Sequence, residues 1–126
     1  MTLEEERNSR DYLYGRLLAV ADLLEREALL KANESRQTTA LRLMQRFSEF
    51  PFSTWKTIEL SLLPYKARLD PAIAFYYEKK IESIMALFKA DDFINNSKLS
   101  GEFLLGYHCQ KEDQFRKKEN NNMKEE

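Results

Sequence analysis

From Tyr12 to Ala28 the apolar residues fall in two adjacent rows at helical spacing. Leu13, Leu17, Val20, Leu24 and Ala28 make one row; Tyr14, Leu18 and Ala21 make the other. One row gives a surface helix a single buried face. Two adjacent rows make an apolar arc wide enough that the segment should lie centrally in a bundle. Ala, Leu, Arg and Glu dominate the stretch, and all favour helix. Asn8 and Ser9 are N-cap residues, and Asp11 stands in the first turn, where the helix dipole favours an acid. The helix is expected to run to about Lys31 and to stop in Ala32-Asn33-Glu34-Ser35.

The remaining chain reads as further helices with no sustained strand alternation. A second helix is expected from Arg36 to Glu49, with Ala40, Leu41, Met44 and Phe47 inward, ended by Phe50-Pro51 because the residue before a proline avoids the α region. A third starts near Ser53 or Thr54 and carries Trp55, Ile58 and Leu62; Pro64 ends or kinks it, and a short extension follows over Tyr65 to Leu69. Asp70-Pro71 starts a fourth, with Ile73, Tyr77, Ile81, Ile84, Met85 and Phe88. Asp91 to Ser97 reads as a polar connection. Ser100 then caps a last helix with Phe103, Leu104, Tyr107 and Phe115. Gly15 and Gly106 lie inside helical patterns, where glycine suits close approach of another helix. The expected fold is all-α: a compact bundle of about five helices over residues 1–118, with a flexible, disordered polar tail over 119–126. A chain of 126 residues suits one domain.

No catalytic constellation stands out. His108 and Cys109 are neighbours, and adjacent side chains on a helix do not face each other. One His and one Cys are too few for a zinc site or a Cys–His pair. The three glycines are isolated and form no phosphate-binding loop. The pairs Asp91-Asp92 and Glu112-Asp113 sit in polar stretches without the desolvation that acid–base chemistry needs. The reading is a non-enzyme without cofactor or metal. Apolar runs of a few residues fall far short of the roughly 20 that span a bilayer. The acidic, polar start Met1 to Arg10 is no signal peptide. A single cysteine excludes an intrachain disulfide and fits a cytoplasmic protein.

Charge is uneven along the chain although the net charge is only −1. Residues 1–30 hold four basic and seven acidic residues, residues 31–89 ten and six, and residues 90–126 six and eight. The middle segment alone offers a basic surface. Tyr76 beside Lys79 and Lys80 combines an aromatic ring with cations, as base stacking requires, but the simpler reading, and the one preferred, is a tyrosine at the rim of the core. Arg16 shares a stripe with Tyr12, Ala19 and Leu23. An arginine on such a face needs a partner: an internal carboxylate, a phosphate or another subunit.

Three stretches also carry a resemblance. Asp11-Tyr12-Leu13-Tyr14-Gly15-Arg16-Leu17-Leu18-Ala19-Val20, then Thr54-Trp55-Lys56-Thr57-Ile58, then Leu99-Ser100-Gly101-Glu102-Phe103-Leu104-Leu105-Gly106-Tyr107-His108-Cys109-Gln110 resemble, in order, the C-terminal helical region of the large subunit of type I-C CRISPR interference complexes (Cascade). The resemblance runs from Arg10 to about Lys118. In that family the region is also made as a separate small subunit from an internal start, and a chain opening at Met1 fits that product. The resemblance implies a non-catalytic component of an RNA-guided complex. Its partners would be the large subunit, backbone subunits and further small-subunit copies, together with the guide RNA–target DNA heteroduplex and the displaced strand. Target cleavage would belong to a recruited nuclease-helicase.

The family offers no short catalytic motif, so contact residues follow from charge. Phosphate contacts need long cationic side chains on an exposed face. The candidates are Lys31, Arg36, Arg42, Arg46, Lys79 and Lys80. Arg42 and Arg46 are expected one turn apart on the second helix. The competing reading is a helical protein–protein adaptor with no nucleic-acid role. Since the Asn120-Asn121-Asn122 run has nothing to bury, removing the chain from Asn120 onward is expected to leave the thermal midpoint unchanged. A clear fall on truncation would show that the tail is docked.

Overall fold

The computed structural model describes the backbone of residues 7–125 and the side chains of residues 7–116. Among the described residues seven helical segments follow one another: α1 (Arg10–Lys31), α2 (Thr39–Arg42), α3 (Met44–Glu49), α4 (Pro51–Ser61), α5 (Leu63–Arg68), α6 (Pro71–Met85) and α7 (Glu102–Glu125). No strand occurs among the described residues. The fold is all-α, and the five expected helices are recognisable in it, two of them divided. The second is interrupted at Leu43 (φ −99°, ψ 9°), giving α2 and α3. The third begins earlier than expected, at Pro51, because proline fits a first helical turn, where its missing N–H has no partner to lose. Pro64 likewise stands in the first turn of α5 after α4 has ended at Ser61. The tail expected over 119–126 has its side chains outside the described residues, and the α7 backbone continues to Glu125.

α1 is the axis of the bundle. It opens on Ser9, whose hydroxyl accepts from the Tyr12 N–H, and it ends before Asn33, which takes a left-handed φ of 58°. Every residue from Tyr12 to Glu25 is buried. This is the central position that two apolar rows require, and α7 lies along it. The approach of these two helices depends on glycine. A Cβ on Gly15 would stand 1.8 Å from the Phe103 carbonyl oxygen, and one on Gly106 would stand 2.1 Å from the Tyr12 carbonyl oxygen. Each helix thus presents a bare backbone to the other's carbonyl.

Polar groups register the remaining elements on α1. The buried Asp22 carboxylate accepts from the Thr38 hydroxyl, from Arg26 Nε at 3.0 Å and from the Tyr107 hydroxyl at 3.2 Å, and it pairs with Lys111 at 3.0 Å. Thr38 is the N-cap of α2, accepting from the Leu41 N–H at 3.3 Å. One turn along α1, the buried Glu25 carboxylate accepts from the Thr39 N–H at 3.0 and 3.1 Å and from Arg36 at 3.0 Å. Asp22 therefore joins α1, α7 and the cap of α2, while Glu25 holds the same helix start from beside it. Burial raises the Asp22 pKa, but the Thr38 hydroxyl and the Lys111 and Arg26 cations outweigh it and leave the carboxyl below its ordinary value.

The connection from α6 to α7 is less polar than its composition implies. Phe93 stacks on Tyr14 at 5.7 Å, meets Phe88 edge-on at 5.3 Å and Phe52 at 5.4 Å, and its carbonyl accepts from the Tyr14 hydroxyl. Arg10 then fastens the following residues, donating to the carbonyls of Asn95 at 2.8 Å and Lys98 at 3.1 Å. The Ser100 N–H donates to Asp11 at 2.7 Å, and the Ser100 hydroxyl accepts from the Glu102 N–H at 3.3 Å, so Ser100 serves at the start of α7 as expected.

Two predictions follow from these contacts. Gly15→Ala and Gly106→Ala each gain about 1 kcal/mol of helix propensity yet force backbones apart, and overpacking costs roughly 1–3 kcal/mol or more. Both variants should show a lower thermal midpoint, whereas Gly101→Ala, where an added Cβ meets nothing within 4 Å, should match the parent chain. Asp22 has a folded-state pKa below its unfolded value. Its stabilisation is therefore complete above the unfolded pKa, about 4, and is lost as pH falls through the folded value. Asp22→Asn should lower stability at pH 7 by about 1–3 kcal/mol. It should also flatten the loss of urea resistance on acidification below about pH 4.

Candidate nucleic-acid interface

A sequence-independent grip on a nucleic-acid strand needs exposed cations with reach, placed on a rigid support. The six candidates fall as three pairs on three stretches of chain. Lys31, in the last turn of α1, pairs with Asp70 at 3.1 Å, both side chains lying more than half exposed. A pair so hydrated contributes little and exchanges readily for a phosphate. Arg36 is engaged differently. Its guanidinium donates to buried Glu25 at 3.0 Å, to the Gln37 carbonyl at 3.3 Å and to the Tyr65 hydroxyl, and it lies 5.5 Å from the Tyr65 ring centroid. Arg36 thus holds the loop before α2 against α1 and α5. Nearby, Arg68 stands 3.6 Å from Glu34, so the cations around the C-terminal end of α1 are matched by Asp70, Glu25 and Glu34.

Arg42 and Arg46 are both exposed. The continuous helix expected to carry them is broken between them at Leu43, so Arg42 closes α2 while Arg46 belongs to α3. Arg42 donates to the Thr39 hydroxyl at 3.1 Å. Their inner side is as expected: Ala40 and Phe47 are core, and Leu41 and Met44 pack against it.

Lys79 and Lys80 lie on α6, a helix that buries Tyr77, Ile81 and Ile84. Lys79 pairs with Glu82 at 3.2 Å and stands 5.2 Å from the Phe75 ring centroid; Lys80 stands 5.7 Å from that of Tyr76. The same i, i+4 arrangement recurs on α4, where Lys56 sits 4.4 Å from the Phe52 ring centroid. Phe75, Phe52, Lys56 and Arg68 were not among the expected contacts, though the aromatic–lysine spacing of four is visible in the sequence. Tyr76 is 40% exposed and touches the Tyr77 ring edge-on at 5.3 Å, so it is both rim and surface.

Arg16 is buried and its Nε donates to the Gln110 carboxamide at 2.8 Å; Gln110 in turn donates to Gln114 at 3.1 Å. Cys109 is buried, while His108 is exposed beside the Tyr107 ring. Among the described residues no group of three or more His, Cys, Asp or Glu is placed to hold a metal ion, and no helix is long and apolar enough to cross a membrane.

Comparison with curated proteins returns no match. The family model described as CRISPR-associated protein (Cas_Csd1) matches residues 1–115, which span all three stretches that carried the resemblance. Such a match is consistent with a type I-C Cascade component. Covering 115 of the 126 residues, it shows that the chain belongs to the CRISPR-associated Cas_Csd1 family.

Proposed function

We propose that the chain is a small, non-catalytic subunit of an RNA-guided type I-C interference complex in the cytoplasm. In this reading it supports assembly and contacts the target or displaced DNA strand without reading sequence. The observation that carries the proposal is the family match over residues 1–115, within which the chain folds as one helical unit around its own core. Its partners would be the large subunit, backbone subunits and other small-subunit copies, together with the guide–target heteroduplex and the displaced strand. The net charge of −1 argues for weak binding alone and useful binding only where several subunits add their sites.

Arg42 and Arg46 bear little on the fold. They are exposed, and α2 and α3 are held through Thr38, Thr39 and the inner apolar residues. Guanidinium groups so placed fix a strand by its phosphates. Arg42→Ala/Arg46→Ala should leave helicity and assembly unchanged, because exposed substitutions usually cost within about 0.5 kcal/mol. The assembled double variant should retain DNA less well, with a salt dependence flattened by up to about two phosphate contacts at roughly 0.7–0.9 in slope each. Assembly that is insensitive to salt, with no change in DNA retention when this chain is omitted, would favour the adaptor reading instead.

A further inference from the structure

We infer that the outer face of α6, together with the groove beside it, is a stacking platform for unpaired nucleobases; this rests on the nucleic-acid reading above and narrows it to single strands. Phe75 is 58% exposed and Tyr76 40% exposed, on a helix that has already buried its apolar stripe of Tyr77, Ile81 and Ile84. The Phe75 ring stands mostly in water and that of Tyr76 in part, so each forgoes some of the stabilisation that burial gives such side chains. Tyr76 also borders a groove of about 560 Å³ between α1, α6 and α7. Its walls include Ile73, Leu30, which is 76% exposed, and Phe115, which is 51% exposed. Gln114 and Glu27 supply polar groups along the same groove.

The cations decide what fits this surface. Lys79 and Lys80 each follow an exposed ring by one turn and stand 5.2 and 5.7 Å from the ring centroids. A purely apolar protein face laid on these rings would desolvate both ammonium groups and leave them without a partner. A nucleotide strand desolvates them too, but its phosphates pair with them and offset the cost. The ammonium group over each ring leaves that face for the strand's phosphate as a base takes its place, so a single turn of helix supplies both contacts. The exposed Lys79–Glu82 pair is weak enough to open for that phosphate. Bases in a duplex are already stacked on each other and present only their edges, so the platform selects unpaired strand. The groove is several times larger than one base and can receive a base turned out beside Tyr76.

The test uses the assembled complex and, at higher concentration, the purified chain, with an oligothymidylate carrying 5-iodouracil as probe and a duplex of equal length as control. Irradiation should cross-link the probe to the peptide containing Phe75 and Tyr76. Phe75→Ala/Tyr76→Ala should weaken single-strand binding about tenfold or more with an unchanged salt slope, since stacking and not charge is lost. Phe75→Tyr/Tyr76→Phe should restore it. Lys79→Gln/Lys80→Gln should instead lower the slope by about 0.7 for each phosphate contact. Single-strand affinity equal to the parent's in the double alanine variant, or cross-links confined to other helices, would overturn the inference. If Arg42→Ala/Arg46→Ala still weakens retention in that case, the broader reading stands without it. If omitting the whole chain leaves retention unchanged, the broader reading fails as well.

Discussion

The reciprocal approach of α1 and α7 at Gly15 and Gly106 is the constraint on which the rest of the bundle depends. Each glycine faces a backbone carbonyl of the other helix at a distance no side chain could share. Backbones cannot yield as a rotamer can, so the two axes are fixed relative to each other. That contact leaves the remaining circumference of α1 to be covered by short helices. It also brings Tyr107 and Lys111 of α7 onto Asp22, so the polar centre exists only where the glycines allow it.

A layered division of labour follows. Asp22 and Glu25 lie on the scaffold helix and hold the start of α2, and Arg36 and Tyr65 carry the hold onward to α5. Some cations of the basic middle segment are thus used in tying the outer layer down. Others remain at the surface: Arg42, Arg46, Lys56 over Phe52 and Lys79 over Phe75 are exposed, and Lys80 over Tyr76 is half-buried. A chain whose overall charge is nearly balanced can therefore still present basic and aromatic groups on one layer, because many of its acids serve internal contacts.

The sequence disclosed α1 and its central position because two apolar rows have few other solutions. It disclosed the two glycines and the Ser9, Asp70-Pro71 and Ser100 starts because these are local chemistry. The division at Leu43 was hidden, since neither proline nor glycine marks it. Pro51 read as the stop of the second helix, which does end at Glu49, and it also starts α4, as proline suits both sides of a helix boundary. Phe93 was hidden in a run of polar neighbours, and its role depends on Tyr14, 79 residues earlier in the chain. For the same reason the partners of Arg36 were hidden, although the residue is exposed as expected: Glu25 and Tyr65, which engage it, lie 11 and 29 residues away. The charge of the candidate interface was legible, but which cations the fold consumes was not.

The central claim, a rigid α1–α7 scaffold carrying a nucleic-acid-facing outer layer, is most directly tested by hydroxyl-radical footprinting of the assembled complex with and without target DNA. Phe75 and Tyr76 are exposed in the free chain, as is Leu104 on α7, which serves as an internal reference. The account predicts that loading DNA lowers oxidation at Phe75 and Tyr76 and leaves Leu104 unchanged. Protection confined to Leu104 and its neighbours on α7, or none on either helix, would contradict it.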